Sequence, residues 1–91
     1  MKIEGQAALV TGGGSGLGEA TARELARLGA KVAVLDVNLE GAQRVASDIG
    51  GIGLKCDVTD TASVQAAIDA AAAAHGPARI LMNIAGIGTA K

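Results

Sequence analysis

The chain has 91 residues, 49% of them hydrophobic and 19% charged, which allows one globular domain at most and excludes a disordered chain. Its net charge of -1, with neither sign gathered into a block, excludes the electrostatic footprint of a protein that binds nucleic acid or an anionic membrane. Phe, Tyr and Trp are absent and Cys56 is the sole cysteine, so there are no large buried rings, no internal disulfide and no zinc-ligand spacing; a reducing, cytoplasmic setting is expected.

The opening MKIEGQAALV carries Glu4 and Gln6 and lacks an apolar core of signal-peptide length. It leads into Ala7 to Val10, a short apolar run that reads as a strand buried on both faces of a parallel sheet. The chain then passes through VTGGGSGLG, Val10 to Gly18, in which five of nine positions are glycine. Ordering glycine is entropically costly, so the cluster implies a turn where side chains must be excluded. A helix follows, with Leu17, Thr21, Leu25 and Leu28 at helical spacing, Glu19, Arg23, Glu24 and Arg27 interleaved, and Gly29 as its stop.

Lys31 to Leu35 (KVAVL) reads as the second strand, and a second helix presents Leu39, Ala42, Val45, Ala46 and Ile49 before Gly50-Gly51. Ile52 to Cys56 (IGLKC) is the third strand. A third helix begins near Thr59-Asp60-Thr61 with their capping side chains, presents Val64, Ile68 and Ala71, and ends at Gly76-Pro77. Its run Ala70 to Ala74 is far too short to cross a bilayer and reads as a close-packed, sheet-covering helix. Arg79 to Met82 (RILM) is the fourth strand. Strands and helices alternating at this spacing imply right-handed βαβ units in a doubly wound α/β layer, one domain over residues 1–91. His75 reads as a solvated imidazole favoured by the helix dipole, and Cys56 as an inert buried thiol.

A turn from a buried strand into a helix gathers backbone N–H groups and the positive end of the helix dipole at one point, which attracts phosphate. A merely tight βα connection is the alternative, but about two or three residues suffice for that. The P-loop pattern G-x-x-x-x-G-K-[ST], laid on Gly13 to Gly18, puts Glu19 and Ala20 where lysine and hydroxyl belong, and a carboxylate facing a triphosphate has the wrong charge. G-x-G-x-x-G fails too: begun at Gly12 it meets Leu17, and begun at Gly14 it meets Glu19. The pattern that fits is T-G-x-x-x-G-x-G, on Thr11, Gly12, Gly16 and Gly18.

That pattern, Asp36 at the end of the second strand, Asp57-Val58 after the third and Asn83-Ile84-Ala85-Gly86 after the fourth resemble, in order, the motifs of the short-chain dehydrogenase/reductase family. The resemblance covers essentially all of Gln6 to Ile87. It implies a Rossmann doubly wound parallel sheet, here of four strands in the order 3-2-1-4 with three helices, and NAD as cofactor. Ser15 and the amides of Gly16 and Leu17 would bond the pyrophosphate, while Gly12 and Gly18 would give room for close approach and packing. Asp36 would accept from both hydroxyls of the adenosine ribose and repel a 2'-phosphate, so NAD is expected over NADP. Val37, Asn38 and Gly13 to Ser15 add no basic group that would alter this. Asp57 would accept from the adenine amino group and Val58 would cover the base. Asn83 would tie the central strands together, and the backbone of Ile84, Ala85 and Gly86 would pass beside the nicotinamide ribose; the commonest form of that motif has a second Asn where Ile84 stands. Taken alone, Asp36 and Asp57 also read as helix-capping carboxylates.

In this family a Ser and a Y-x-x-x-K pair carry the proton relay. The chain contains no tyrosine, so no catalytic residue is assigned, and the chain is expected to be the N-terminal, cofactor-binding part of a longer enzyme. An unpaired apolar fourth strand points the same way. The resemblance implies NAD-dependent interconversion of a secondary alcohol and a ketone by hydride transfer, with members acting on 3-hydroxyacyl-CoA or hydroxysteroid-like alcohols the most similar. The implied partners are a small-molecule alcohol or ketone, an acyl-CoA among them, and further copies in a homo-oligomer, a tetramer, with no nucleic acid and no membrane. Two other classes stay open: a non-catalytic NAD-binding or sensing protein, and an acyl-carrier or sugar-nucleotide modifying enzyme on a related sheet.

Overall fold

A computed structural model describes residues 2–84, and it follows the alternation seen in the sequence. Strands β1 (Ala7–Thr11), β2 (Lys31–Asp36), β3 (Ile52–Lys55) and β4 (Ile80–Asn83) are joined through helices α1 (Gly16–Arg27), α2 (Leu39–Ile49) and α3 (Thr61–His75). Every pairing is parallel, and the order is β3-β2-β1-β4. The chain therefore winds outward from β1 to β3, then returns to place β4 on the other side of β1. The C-terminal ends of β1 and β4 flank the point where strand order reverses, the crevice in which open α/β sheets hold ligands.

Alternate residues of the central strands feed two cores, as the period of a strand requires. Ala8, Val10, Val32 and Val34 pack with Ala22 and Leu25 of α1 and with Ala42, Val45 and Ala46 of α2. On the opposite face Leu9, Ala33 and Leu35 meet Cys56 and the α3 residues Ala67 and Ala71. Val10, Val32, Val34, Leu35 and Val45 are fully enclosed. Enclosing a side chain of this size is worth about 1.5–3 kcal/mol, so truncations at the β1–β2 centre cost the most.

Burial on both faces, expected of all four strands, holds for β1 and for the middle of β2 but not for β3 and β4. The reason is coverage: α3 packs on β1, β2 and β3, and among the described residues Leu81 of β4 remains 63% exposed.

The helix faces also differ from the leucine spacing. In α1 the buried stripe is Gly18, Ala22 and Leu25, while Leu17 is 61% exposed. In α3 it is Ala67 and Ala71 rather than Ile68. Both helices approach closely enough that a hydrogen or a methyl group fits where a branched chain would not, and shape complementarity at this density overrides hydrophobicity rank. No helix among the described residues is long and apolar enough to cross a membrane.

Candidate functional site

The turn from β1 into α1 and the end of β2 are held together by backbone bonds. The N–H groups of Gly12 and Gly13 both donate to the carbonyl of Leu35, at 2.7 and 3.2 Å. Gly12 and Gly16 have φ of 68° and 58°, the left-handed region that a side chain disfavours. A Cβ on Gly13 would meet Val34 Cγ1 at 2.8 Å, one on Gly14 would meet Asp36 Oδ2 at 2.9 Å, and one on Gly18 would lie 1.9 Å from the Gly12 carbonyl oxygen. The turn's own packing therefore demands glycine before any ligand is considered, which widens the reason inferred from the sequence.

What the turn leaves available is a set of donors. Ser15 is the N-cap of α1, yet its side chain makes no capping bond. Gly16 and Leu17 are exposed first-turn residues, whose N–H groups have no intrahelical acceptor. These groups converge at the positive end of the α1 dipole, a donor set that suits a phosphate or diphosphate.

Asp36 stands beside that turn. Its Oδ2 accepts the Gly14 N–H at 3.0 Å and its Oδ1 accepts the Asn38 N–H at 3.0 Å. These bonds fix the carboxylate while leaving further lone pairs on both oxygens. The cap of α2 is Asn38, whose side chain accepts the Gly41 N–H at 3.2 Å, so Asp36 is not a helix cap. The fit to a dinucleotide is thus twofold: anion donors at the helix start, and an acceptor one hydrogen bond from the turn.

Asp57 likewise leaves helix capping to a neighbour, because Asp60 accepts the N–H groups of Ala62 and Ser63. Asp57 Oδ1 accepts from the Thr59 hydroxyl at 2.7 Å and the Thr59 N–H at 2.9 Å, and this pair of bonds holds its carboxyl below the usual range. Val58 borders an apolar cavity of about 190 Å³ together with Cys56, Val64 and Ile68. That cavity lies on the α3 side of the sheet and does not include the glycine turn. Burial pushes the Cys56 thiol up, and a bond with Ser63 offsets only part of that.

Asn83 pairs with Thr11 in register, and its Oδ1 accepts the Thr11 hydroxyl at 2.7 Å, tying β4 to β1. Ile84 packs against the core on the α1 and α2 face. Ala85 and Gly86 lie outside the described residues. His75 departs from the solvated imidazole expected: it is half-buried, and its Nδ1 is enclosed without a partner among the described residues.

Two residues to which the sequence reading assigned no role in binding complete the picture. Glu19, in the first turn of α1, is shared between Arg44 of α2 at 3.2 Å and Arg23 at 2.9 Å. The two guanidinium groups, Arg44 first, hold its carboxyl below the usual range. Arg44 Nη2 also donates to the Gly14 carbonyl at 3.1 Å. Only the crossing of α1 over α2 brings them together, and no local spacing encodes that crossing.

The sequence pattern of the family described as short chain dehydrogenase matches residues 6–91. The chain belongs to that family. To D-threitol dehydrogenase of Mycolicibacterium smegmatis it is 48% identical over 92 residues, which cover 96% of this chain and 35% of that protein. Among solved structures of short chain dehydrogenases and their kin, a 3-ketoacyl-(acyl-carrier-protein) reductase from Brucella melitensis complexed with NADH aligns with a TM-score of 0.84 at 43% identity, covering 87% of this chain and 34% of that one. A short chain dehydrogenase/reductase from Burkholderia phymatum in complex with NAD aligns with a TM-score of 0.85 at 36% identity, covering 89% and 31%. The chain spans about a third of the length of curated relatives such as D-threitol dehydrogenase. As a member of that family it has the Rossmann sheet that its motifs implied.

Proposed function

We propose that residues 1–91 are the NAD-binding part of a single Rossmann domain in an enzyme that interconverts a secondary alcohol and a ketone. One observation carries the reading: the Asp36 carboxylate lies 3.0 Å from the Gly14 N–H, at the edge of the anion-binding turn. The N–H groups of Gly16 and Leu17 and the Ser15 hydroxyl bind the diphosphate, and the glycine backbone at Gly12 and Gly18 keeps that approach open. The remaining lone pairs of Asp36 accept the two ribose hydroxyls, and its charge repels a 2'-phosphate, so NAD is favoured over NADP. Asp57 accepts from the adenine amino group and Val58 covers the base.

Asn83 holds β4 against β1, so that the backbone leaving β4 at Ile84 runs beside the nicotinamide ribose. When bound, NAD supplies a nicotinamide ring that receives the hydride from the carbinol carbon. The alcohol proton leaves to a base that we assign to no residue of this chain, which contains no tyrosine. Within the alcohol class we propose a 3-hydroxyacyl thioester such as 3-hydroxyacyl-CoA, since the motif resemblance favours it and the similar Brucella enzyme is named for the corresponding 3-ketoacyl group. The working form is a cytoplasmic homo-oligomer.

Calorimetric titration of the intact protein with NAD and NADP tests the reading. Asp36→Ala should weaken NAD about tenfold or more while NADP is unchanged or tightened, because charge-assisted hydrogen bonds to one ligand are lost and repulsion of the other is relieved. Equal losses for both cofactors would overturn it.

A further inference from the structure

We propose that Arg44 is a positioning residue for the diphosphate-binding turn, an inference that rests on the reading of this turn as the NAD site. Gly14 is gripped from both sides. Its N–H donates to Asp36 Oδ2 at 3.0 Å, and its carbonyl accepts from Arg44 Nη2 at 3.1 Å. That carbonyl belongs to the same planar peptide unit as the N–H of Ser15, and in a trans peptide the C=O and N–H bonds point in opposite directions. Drawing the carbonyl toward α2 therefore turns the Ser15 N–H away from α2, and it keeps a carbonyl oxygen from facing the anion. Without Arg44, a glycine with no side chain to restrain it could rotate this unit and present the wrong end of its dipole.

Arg44 is itself held. The same Nη2 donates to Glu19 Oε1 at 3.2 Å, and the other oxygen of Glu19 accepts from Arg23 at 2.9 Å, which in turn reaches Asp48 at 2.9 Å. Both Nη2 hydrogens of the guanidinium are thus committed, one to a carboxylate and one to a carbonyl. The network lies at the surface, where ion pairs add little to global stability, so its effect should be read in affinity rather than in melting temperature.

The test titrates NAD and ADP-ribose into the intact protein and its Arg44→Met and Arg44→Lys variants, with Asp36→Ala alongside. Arg44→Met keeps the aliphatic stem and removes the donors. It should raise Kd for both ligands about tenfold, the loss expected for one charge-assisted bond, with melting within about 2 °C of the unaltered protein. Arg44→Lys should recover part of the affinity, since an ammonium can still reach the carbonyl. Where turnover is measured, kcat at saturating NAD should be unchanged. An unchanged Kd in Arg44→Met, or a loss of affinity that tracks a loss of stability and is no smaller in Arg44→Lys, overturns the proposal. If Asp36→Ala weakens binding and Arg44→Met does not, the role of Arg44 alone falls; if the unaltered protein binds neither ligand, the NAD reading falls with it.

Discussion

A Cβ on Gly18 would lie 1.9 Å from the carbonyl oxygen of Gly12, closer than any non-bonded carbon and oxygen can come. The first turn of α1 rests directly on the turn that leaves β1, and a methyl group would lift the helix from the sheet. Gly16 differs: a Cβ there meets nothing within 4 Å, and only its φ of 58° resists a side chain. Gly18→Ala should therefore destabilise the fold by about 3 kcal/mol or more, a value reached by overpacking against backbone, and Gly16→Ala by about 1–2 kcal/mol. Urea unfolding of the two variants compares them; equal losses would contradict the packing described.

Gly14→Ala acts on the site as well as on the packing of α2 against the turn. Its new methyl group would stand 2.9 Å from Asp36 Oδ2 and 3.0 Å from the Ala42 nitrogen, so the carboxylate must move. NAD affinity should fall about tenfold, comparable to losing the charge-assisted bond itself. Calorimetric titration checks this, and unchanged affinity would show that the position of Asp36 does not matter.

The bond from the Thr11 hydroxyl to Asn83 Oδ1, 2.7 Å long, joins the two strands at the reversal of sheet order. Thr11→Val keeps the shape and removes the donor. A double-mutant cycle of Thr11→Val with Asn83→Ala should give a coupling of about 1 kcal/mol, typical of a partly buried hydrogen bond. A coupling near zero would remove Asn83 from the list of residues that hold β4.

The alternation of apolar strands with helices was legible because strand runs and glycine stops are local signals, whereas the strand order 3-2-1-4 came only with the family resemblance. The face of each helix was less legible. Leu17 and Ile68 are the larger apolar residues at their positions, yet Gly18 and Ala67 face the sheet, since the closeness of approach is a tertiary property. The ordered motifs marked Gly12, Asp36 and Asn83, but not what Asp36 holds. Its bonds to Gly14 and Asn38 depend on how the β1 turn folds over the end of β2. The pairing of Glu19 with Arg44 carried no signal, because charged residues on two helices read as solvated faces until the helices cross.

Acid should loosen the α1–α2 surface. Glu19, held down first by Arg44 and then by Arg23, and Glu24, held down by Arg27, both have carboxyls below their usual range. A depressed carboxyl adds stability that is complete above its unfolded pKa, about 4.3 for glutamate, and is lost as pH falls through the lower folded value. Because these ion pairs lie at the surface and add little to global stability, melting temperature should decline only slightly on their account below about pH 4.5, by on the order of 1–2 °C, and less in Glu19→Gln. An identical decline in both proteins would contradict the contribution of Glu19.

Cys56 should be unreactive. It is 2% exposed, and burial pushes its thiol up and away from the thiolate. Alkylation by iodoacetamide under native conditions should run at least about a hundredfold slower than for free cysteine and recover in urea, since only opened molecules would react. Rapid native alkylation would show that the β3 end is open.

The account depends most on the turn from Gly12 to Gly18 and the carboxylate of Asp36 holding one dinucleotide between them. The direct measurement is the shift of backbone amide resonances as NAD is titrated into isotope-labelled protein. The largest changes should fall on Gly14, Ser15, Gly16 and Leu17 and on Val37 and Asn38 beside Asp36, with the α3 residues Ala70 to Ala74 unmoved. Saturating NAD that leaves the turn unchanged, or shifts confined to the cavity between α3 and β4, would contradict it.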